Sequence, residues 1–466
     1  MSNKIPIKNL TQDSNGEYDL YVSSEKIHIR RIKGLFRNLR FFGGIFLFAV
    51  FFGFVWLNYN GAQAIVWDIP KREFSIFWIT FGPKDLIYLA SALIISAFGL
   101  FFITAVAGRV WCGYTCPQSV FTWVFMYIEE KCEGKRNARI KLDNEDHSYN
   151  RFIRRTLKHI LWLVVGFITA LTFVGYFSPI RELFLSLLDG SAHYWEYFWV
   201  GFFTLATYGN AGWLREQVCI YMCPYSRFQA VMFDENTLVI AYDEKRGENR
   251  GSRKKGADYK KEGLGDCIDC DLCVHVCPTG IDIRDGLQIE CIGCAACVDA
   301  CDSVMDQMGY DRGLVKYTSE NAEKGKKFTL IRPRVVFYAA VLIFMTTAMV
   351  WSISNRSNVD IEVTRDRGDL YNVEDDKIIN SYRFKLTNTT QETQKYTIKV
   401  VGNPNVSLDV KTNWELNALT NIKIDVFVSM PLDKVDAFNY ELQLEVLQDG
   451  KVIESEKTTF ITNWNP

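Results

Sequence analysis

Histidine is scarce in this chain of 466 residues: the five present, His28, His147, His159, His193 and His275, show no pairing at haem or metal spacing. Haem held between two membrane histidines is therefore not supported. Net charge is nearly absent as well, with 53 basic residues against 54 acidic ones, so no broad basic field exists to attract nucleic-acid phosphates. Beyond Cys301 there is no cysteine, whereas all 13 fall between Cys112 and Cys301. That confinement argues against a disulfide framework spread through the fold and in favour of metal binding. An apolar core near the start is also missing, because the segment ahead of Phe41 is polar and basic. A cleaved signal peptide is not expected, and the first span is read as retained.

What the chain does have is apolar length. Hydrophobic residues make up 48% and aromatics 14%, and 466 residues exceed what one core supports, so two or more domains are expected. The uncharged run from Phe41 to Leu57, bordered by Arg37 and Arg40, reads as a first span. Leu86 to Ala107 is the clearest, long enough to cross about 30 Å of hydrocarbon as a helix. Further spans are expected at Ile160 to Phe177, Tyr194 to Gly212 and Val335 to Ile353. Glu196 lies within the fourth and most simply marks its interfacial start, a functional membrane carboxylate being the alternative. Trp67 to Asp85 is apolar but broken by charge, and reads as an interfacial segment on the outer side.

Basic residues set the orientation. Lys131, Lys135, Arg136, Arg139 and Lys141 crowd the loop after the second span, Lys254, Lys255, Lys260 and Lys261 the loop after the fourth, and Arg30, Arg31 and Lys33 the N-terminal arm. Five spans place all three inside a bacterial inner membrane and the C-terminal region outside. Buried core helices of a soluble protein are the competing reading, and uncharged runs flanked by basic clusters count against it.

Between two spans lie Cys267, Cys270, Cys273 and Cys277, then Cys291, Cys294, Cys297 and Cys301, each quartet spaced C-x2-C-x2-C-x3-C. This is the spacing of two-cluster ferredoxins, in which three close cysteines wrap one 4Fe-4S cluster and the fourth reaches the other. Cluster one is expected on Cys267, Cys270, Cys273 and Cys301, cluster two on Cys291, Cys294, Cys297 and Cys277. Pro278 then turns the chain away from the exchanged ligand. Zinc sites usually separate their C-x2-C pairs by longer loops, so the doubled motif favours an electron relay. His275 sits inside the first loop, either facing solvent or hydrogen-bonding the cluster.

A second duplication surrounds Cys112 and Cys116 (VWCGYTCPQS) and Cys219 and Cys223 (QVCIYMCPYS). Each C-x3-C-P follows a span arriving at the same face, so the two should meet at one membrane depth. Residues four apart share a helix face, and the four thiolates together suit a soft ion: Cu(I), Zn(II) or iron-sulfur species. Four packed, inert thiols are the competing account. Cys132 belongs to neither motif and reads as a plain thiol. Past Arg356 the pattern changes to short alternating stretches, VDIEVTRD, SYRFKLTNTT, YTIKVVG, VSLDVK, NIKIDVFVSM and NYELQLEVLQDGKVIESEKTTFI, with Asp449-Gly450 as a hairpin signal. An immunoglobulin-like sandwich without a disulfide is expected, suited to docking.

The eight-cysteine segment, both C-x3-C-P motifs and the stretch from Ala241 to Gly251 (AYDEKRGENRG) together resemble the CcoG family, also called FixG or RdxA. The resemblance extends over nearly the whole chain; Asn249 stands where that family carries proline, a departure that touches no ligand. It implies a cytochrome oxidase accessory protein that reduces Cu(II) to Cu(I) for assembly of the cbb-type cytochrome c oxidase. Carried over by position, Cys112, Cys116, Cys219 and Cys223 are the copper-handling, catalytic thiols, and the eight cluster cysteines supply electrons. Implied partners are oxidase assembly factors and a copper transporter or chaperone, besides membrane lipid and an electron donor of unspecified identity. Two other classes stay open: an electron-transfer subunit feeding a quinone or partner reductase, and a non-catalytic assembly scaffold. The expected organisation is multi-domain: a cytoplasmic arm (1–40), an α-helical membrane domain (41–240) and a cytoplasmic two-cluster ferredoxin-like insert (241–334) come first. A last transmembrane helix (335–355), making about five spans in all, and a periplasmic all-β immunoglobulin-like sandwich (356–466) complete it.

Overall fold

The computed structural model describes residues 27–462 apart from positions 60, 71, 78, 83–84, 146–147, 357–358, 366–369, 389, 391, 409–411 and 418–419. Most of the expected N-terminal arm, and His147, therefore lie outside the described residues. In chain order the elements that matter are α1 (Leu35–Phe54), strands β1 (Ile65–Asp68), β2 (Glu73–Ile76) and β3 (Ile79–Phe81), α2 (Leu86–Ala107), α3 (Pro117–Glu133), α4 (Tyr149–Val174), α5 (Tyr194–Thr207) and α6 (Pro224–Val231). Next come β4 (Val239–Tyr242), α7 (Ala296–Met308), β5 (Val315–Thr318) and α8 (Pro333–Ser354). The C-terminal strands are β6 (Val359–Arg365), β7 (Asn372–Glu374), β8 (Lys377–Asn388), β9 (Gln394–Val401), β10 (Ser407–Leu408), β11 (Asn413–Leu416), β12 (Asn421–Pro431), β13 (Asn439–Gln448) and β14 (Lys451–Ile461).

Among the described residues four helices, α1, α2, α4 and α8, are long and apolar enough to cross a membrane. The apolar windows of α2 and α8 bury 0% inside the protein. Helices that apolar and that uncovered need lipid around them, which makes this a membrane protein. The expected fourth span is a 14-residue helix, α5, continued without a gap by a π-helical stretch, Tyr208–Leu214. Glu196 sits in its first turn and accepts a hydrogen bond from the His193 backbone N–H at 3.0 Å, so the carboxylate does the work of a helix cap.

Contacts divide the chain into two units, one made of segments 1–47, 101–166 and 205–335, the other of 48–100, 167–204 and 336–466. The chain passes between them five times, each time inside a helix: α1, α2, α4, α5 and α8. In the first unit β4 and β5 pair antiparallel beside α7, over a core that includes Ile240, Ile283, Val298, Met305 and Leu314. The Asp299 carboxylate of α7 accepts the backbone N–H groups of Phe36 (3.1 Å) and Arg37 (2.7 Å), capping the start of α1. Gly34 lies against the same carboxylate; a Cβ there would fall 2.2 Å from Asp299 Cγ.

In the second unit, the segment expected to be merely interfacial contains an antiparallel meander, β1-β2-β3. The sandwich has one sheet ordered β10-β12-β8-β6, with β7 also on β8, and a second ordered β11-β9-β13-β14. Every pairing is antiparallel, and inward side chains such as Ile378, Tyr382, Phe384, Val426 and Leu444 form one core. Alternation along β8 is strict over much of its length, the period that buries one face of a strand. The two-residue turn between β13 and β14 has positive φ at Asp449 (52°) and Gly450 (79°), the conformation an Asp-Gly hairpin requires. Of the expected VSLDVK strand only Ser407–Leu408 is described as strand, 409–411 lying outside the described residues.

Candidate iron-sulfur centres and the paired thiols

The first cysteine loop is shaped by acidic residues rather than by the cysteines alone. Asp269 and Asp271, on either side of Cys270, adopt left-handed backbone (φ 53° and 54°), a conformation Asp tolerates better than most residues. Arg284, its side chain 7% exposed, joins Asp269 (2.7 Å), Asp271 (2.6 Å) and Asp282 (2.6 Å), so one guanidinium holds both turns. Cys301 comes in from α7 with Cys273, Cys267 and Cys270 for neighbours; burial first, then those thiols, push it up to about 12. The second loop repeats the backbone: Gly293 (φ 66°) and Ala295 (φ 56°) occupy the places of Asp269 and Asp271. His275 lies between the first loop's cysteines and Cys277, and its carbonyl accepts the Arg30 N–H at 2.7 Å.

Cys277, Cys291, Cys294 and Cys297, together with Cys273 of the first loop, line one void whose other walls include Ile240, Ile281, Ile283 and Ala296. Burial raises Cys277 and Cys297 and pushes Cys291 up to about 12. Such thiols shed their protons only to a strong Lewis acid, which is what iron offers. All 13 cysteines are free of disulfides. Among the described residues no three His, Cys, Asp or Glu side chains converge at the spacing of a single ion. Thiols spread around an apolar void fit a cluster, which is wider than one zinc ion with its ligands at about 2.3 Å. When bound, such clusters supply one-electron transfer.

The C-x3-C-P pairs are not two cysteines on one helix face, as helical spacing suggested. Cys112 lies in the short helix Val110–Tyr114, while Cys116 (φ −57°, ψ 125°) is the residue capping α3, whose first position is Pro117. Likewise Cys219 lies in the π-helical turn Val218–Met222, and Cys223 (φ −79°, ψ 111°) caps α6 ahead of Pro224. Proline causes both breaks: it cannot continue a helix but fits the first position of the next. Even the closing bonds repeat, Cys116 N–H to Trp111 O (2.9 Å) and Cys223 N–H to Val218 O (2.8 Å). The four thiols share one neighbourhood: burial first, then Cys116 and, more weakly, Cys219 and Cys223, raise Cys112 to about 12.

This neighbourhood adjoins the second cysteine loop. Cys112 packs against the buried cluster made of Val276, Ile292, Cys294, Ala296 and Ala300. A Cβ on Gly113 would stand 2.9 Å from Cys294 Cα, so the two backbones touch with no side chain between them. Arg109, 6% exposed, donates to the carbonyls of Ile289 and Cys291 in that loop and of Ser226 in α6. Tyr317 donates to Gly293 O (2.6 Å), and its hydroxyl meets that of Tyr114 at 3.2 Å. The Cys112 thiol donates to Gln229 Oε1 at 3.0 Å, and Gln229, 1% exposed, donates in turn to Thr104 at 3.3 Å. Arg109, Gln229 and Arg284 escaped the sequence reading. Arg109 follows the second span as one more basic residue, and Gln229 carries no signal of its own.

Buried ion pairs brace the helices that carry these motifs. Glu129 of α3 meets Arg139 (3.3 Å) and Arg215 (2.9 Å), and Glu133 meets Lys158 at 2.6 Å. Cys132, between them in sequence, is half-buried on α3 and joins neither motif.

Apolar helices that need lipid, a duplicated ferredoxin loop and thiols ringing an apolar void define a membrane iron-sulfur protein that transfers electrons. Family models agree: a 4Fe-4S dicluster domain matches residues 214–320, a 4Fe-4S binding domain residues 89–129, and the IG-like fold at the C-terminal of FixG residues 349–463. Protein RdxB of Cereibacter sphaeroides is 38% identical over 417 residues, covering 86% of this chain and 87% of its own. Nitrogen fixation protein FixG of Rhizobium meliloti is 35% identical over 84% of this chain and 82% of its own, and Protein RdxA of C. sphaeroides 36% over 82% and 84%. The chain belongs to the FixG/RdxA family.

Proposed function

We propose that the chain is a membrane-bound cupric reductase that delivers Cu(I) for assembly of a cbb-type cytochrome c oxidase, in contact with that oxidase's assembly factors and a copper transporter or chaperone. Cys267, Cys270, Cys273 and Cys301 hold one 4Fe-4S cluster, and Cys277, Cys291, Cys294 and Cys297 the other. Cys112, Cys116, Cys219 and Cys223 take the copper substrate. The observation that carries the reading is the contact of Cys112 and Gly113 with the second cysteine loop. Cu(II) gains one electron there, and the softer Cu(I) is the form thiolates prefer. In this reading the clusters face the cytoplasm and the sandwich the periplasm, as the basic residues in the loops would favour.

The test is the Cys116→Ser/Cys223→Ser double variant. Serine keeps the size but offers a hard hydroxyl, so Cu(II) reduction is expected to disappear while iron content stays normal. Reduction at the wild-type rate would make these thiols structural. A second reading draws on the match of the 4Fe-4S binding model to residues 89–129, which include Cys112 and Cys116: the four thiols hold a further cluster. Iron would then fall in the double variant together with activity.

A further inference from the structure

A charge buried away from water is costly unless an opposite charge meets it. Among the described residues the buried cations are Arg40, Arg109, Arg139, Lys158, Arg284 and Arg332. Glu129 meets Arg139, Glu133 meets Lys158, Asp234 meets Arg332, and three aspartates meet Arg284. Arg40 lies over the Trp123 ring, 4.6 Å from its centroid, one turn beyond the N–H groups of α1 that the Asp299 carboxylate caps. At Tyr114, which burial raises, Arg40 and Asp299 act with opposite sign. Each offsets the other there. Arg109 is different: its guanidinium donates to the carbonyls of Ile289, Cys291 and Ser226, and no carboxylate among the described residues pairs with it.

We propose that Arg109 sets the reduction potential of the second cluster, its charge favouring the reduced form while its hydrogen bonds hold the second cysteine loop to α6. A 4Fe-4S cluster on four thiolates is anionic and gains one negative charge with each electron, so a cation buried beside it stabilises the reduced state more than the oxidised one. At 6% exposure, Arg109 is little screened by solvent. Its place beside the loop is fixed twice: a Cβ on Gly293 would stand 3.2 Å from the Arg109 backbone, and Cys291 O accepts from the guanidinium at 3.4 Å. The charge also reaches the thiols. Burial raises Cys291, Cys112 and Cys219, and Arg109 opposes it at all three. Glu290, next to Cys291, is partly exposed, where solvent screens it. Arg284 gives the contrast at the first loop, because three carboxylates outweigh its charge. The proposal rests on the iron-sulfur reading and is independent of copper. Arg109 is in it a positioning residue, which favours the electron on the cluster that adjoins Cys112.

The test is a redox titration of the full-length protein in detergent, poised anaerobically with dithionite and mediators and read by electron paramagnetic resonance. The second cluster's signal is the one lost in Cys294→Ser. Arg109→Gln is expected to weaken reduction of that cluster about tenfold, a shift of about 59 mV to lower potential for one electron, and to leave the first cluster's potential in place. Arg109→Lys keeps the charge without the planar fork and should restore most of the shift. Ser226→Asp leaves Arg109 in place and sets a carboxylate beside it, at the third position of α6, where an acid suits a helix start. It should lower the same potential, and it decides the matter if Arg109→Gln loses iron. A merely structural Arg109 would lower iron content without moving the potential of the clusters that remain. An unmoved second potential in the iron-replete variants, or equal shifts of both clusters, would overturn this proposal alone; a wild type without iron would overturn the cluster reading and this proposal with it.

Discussion

Gly113 and Arg109 show how much of the site depends on residues that carry no chemistry of their own. A side chain at Gly113 would press on Cys294 Cα and Gly293 O, both 2.9 Å from the added Cβ. Gly113→Val is therefore expected to displace the second loop, at a cost of about 1–3 kcal/mol, and to lower iron content by up to one cluster. Metal analysis with a thermal melt checks it. Arg284 gives a matching test on the other loop: Arg284→Gln removes the charge that unites three carboxylates, and the first cluster should become the labile one, read from its paramagnetic signal during chelator challenge. The eight cysteines of the doubled motif stand out in the sequence because their spacing is itself chemical information. Arg109 does not, because its partners are carbonyls as far as 182 residues away and a carbonyl has no sequence signature. Nor did sequence reveal that Arg139, one of the basic residues of the loop after the second span, and Lys158 are buried at 4% and 6% exposure against Glu129 and Glu133.

At the scale of elements, the proline of each C-x3-C-P motif was visible but its consequence was misjudged. Helical spacing put both cysteines on one face, whereas proline at the first position of α3 and of α6 turns the second cysteine into a junction residue. The ion pair of Glu133 with Lys158 holds α3 to α4, and Lys158→Met leaves Glu133 buried without its cation. Such a break typically costs about 3–5 kcal/mol, so the variant should melt well below the wild type, while removing the stranded charge as well, in Glu133→Gln with Lys158→Met, should recover much of the loss. In the sandwich, the long strands β8, β9, β12, β13 and β14 could be read from alternation. Asn372–Glu374 and Asn413–Leu416 could not, since strands of three or four residues are too short to display a period. Phe384, 0% exposed in that core, should cost about 3–5 kcal/mol when replaced by alanine, measurable by denaturant unfolding.

For the whole molecule, orientation turns on whether the number of spans is odd or even. Four of the five helices were legible as apolar runs; the fourth in order was ambiguous because α5 is 14 residues long and reaches spanning length only with its π-helical continuation. Reporter fusions after Pro466 and near Lys254 should be active on opposite sides of the membrane, the first outside and the second inside; activity on the same side would require an even number of spans. The central claim, that this is an iron-sulfur electron carrier built on the duplicated loops, is tested most directly by iron analysis and electron paramagnetic resonance of the anaerobically purified protein and its Cys294→Ser variant. The account predicts about eight irons per chain in the wild type and about four fewer in the variant, with one cluster signal lost. Zinc in place of iron, or full iron in the variant, would contradict it.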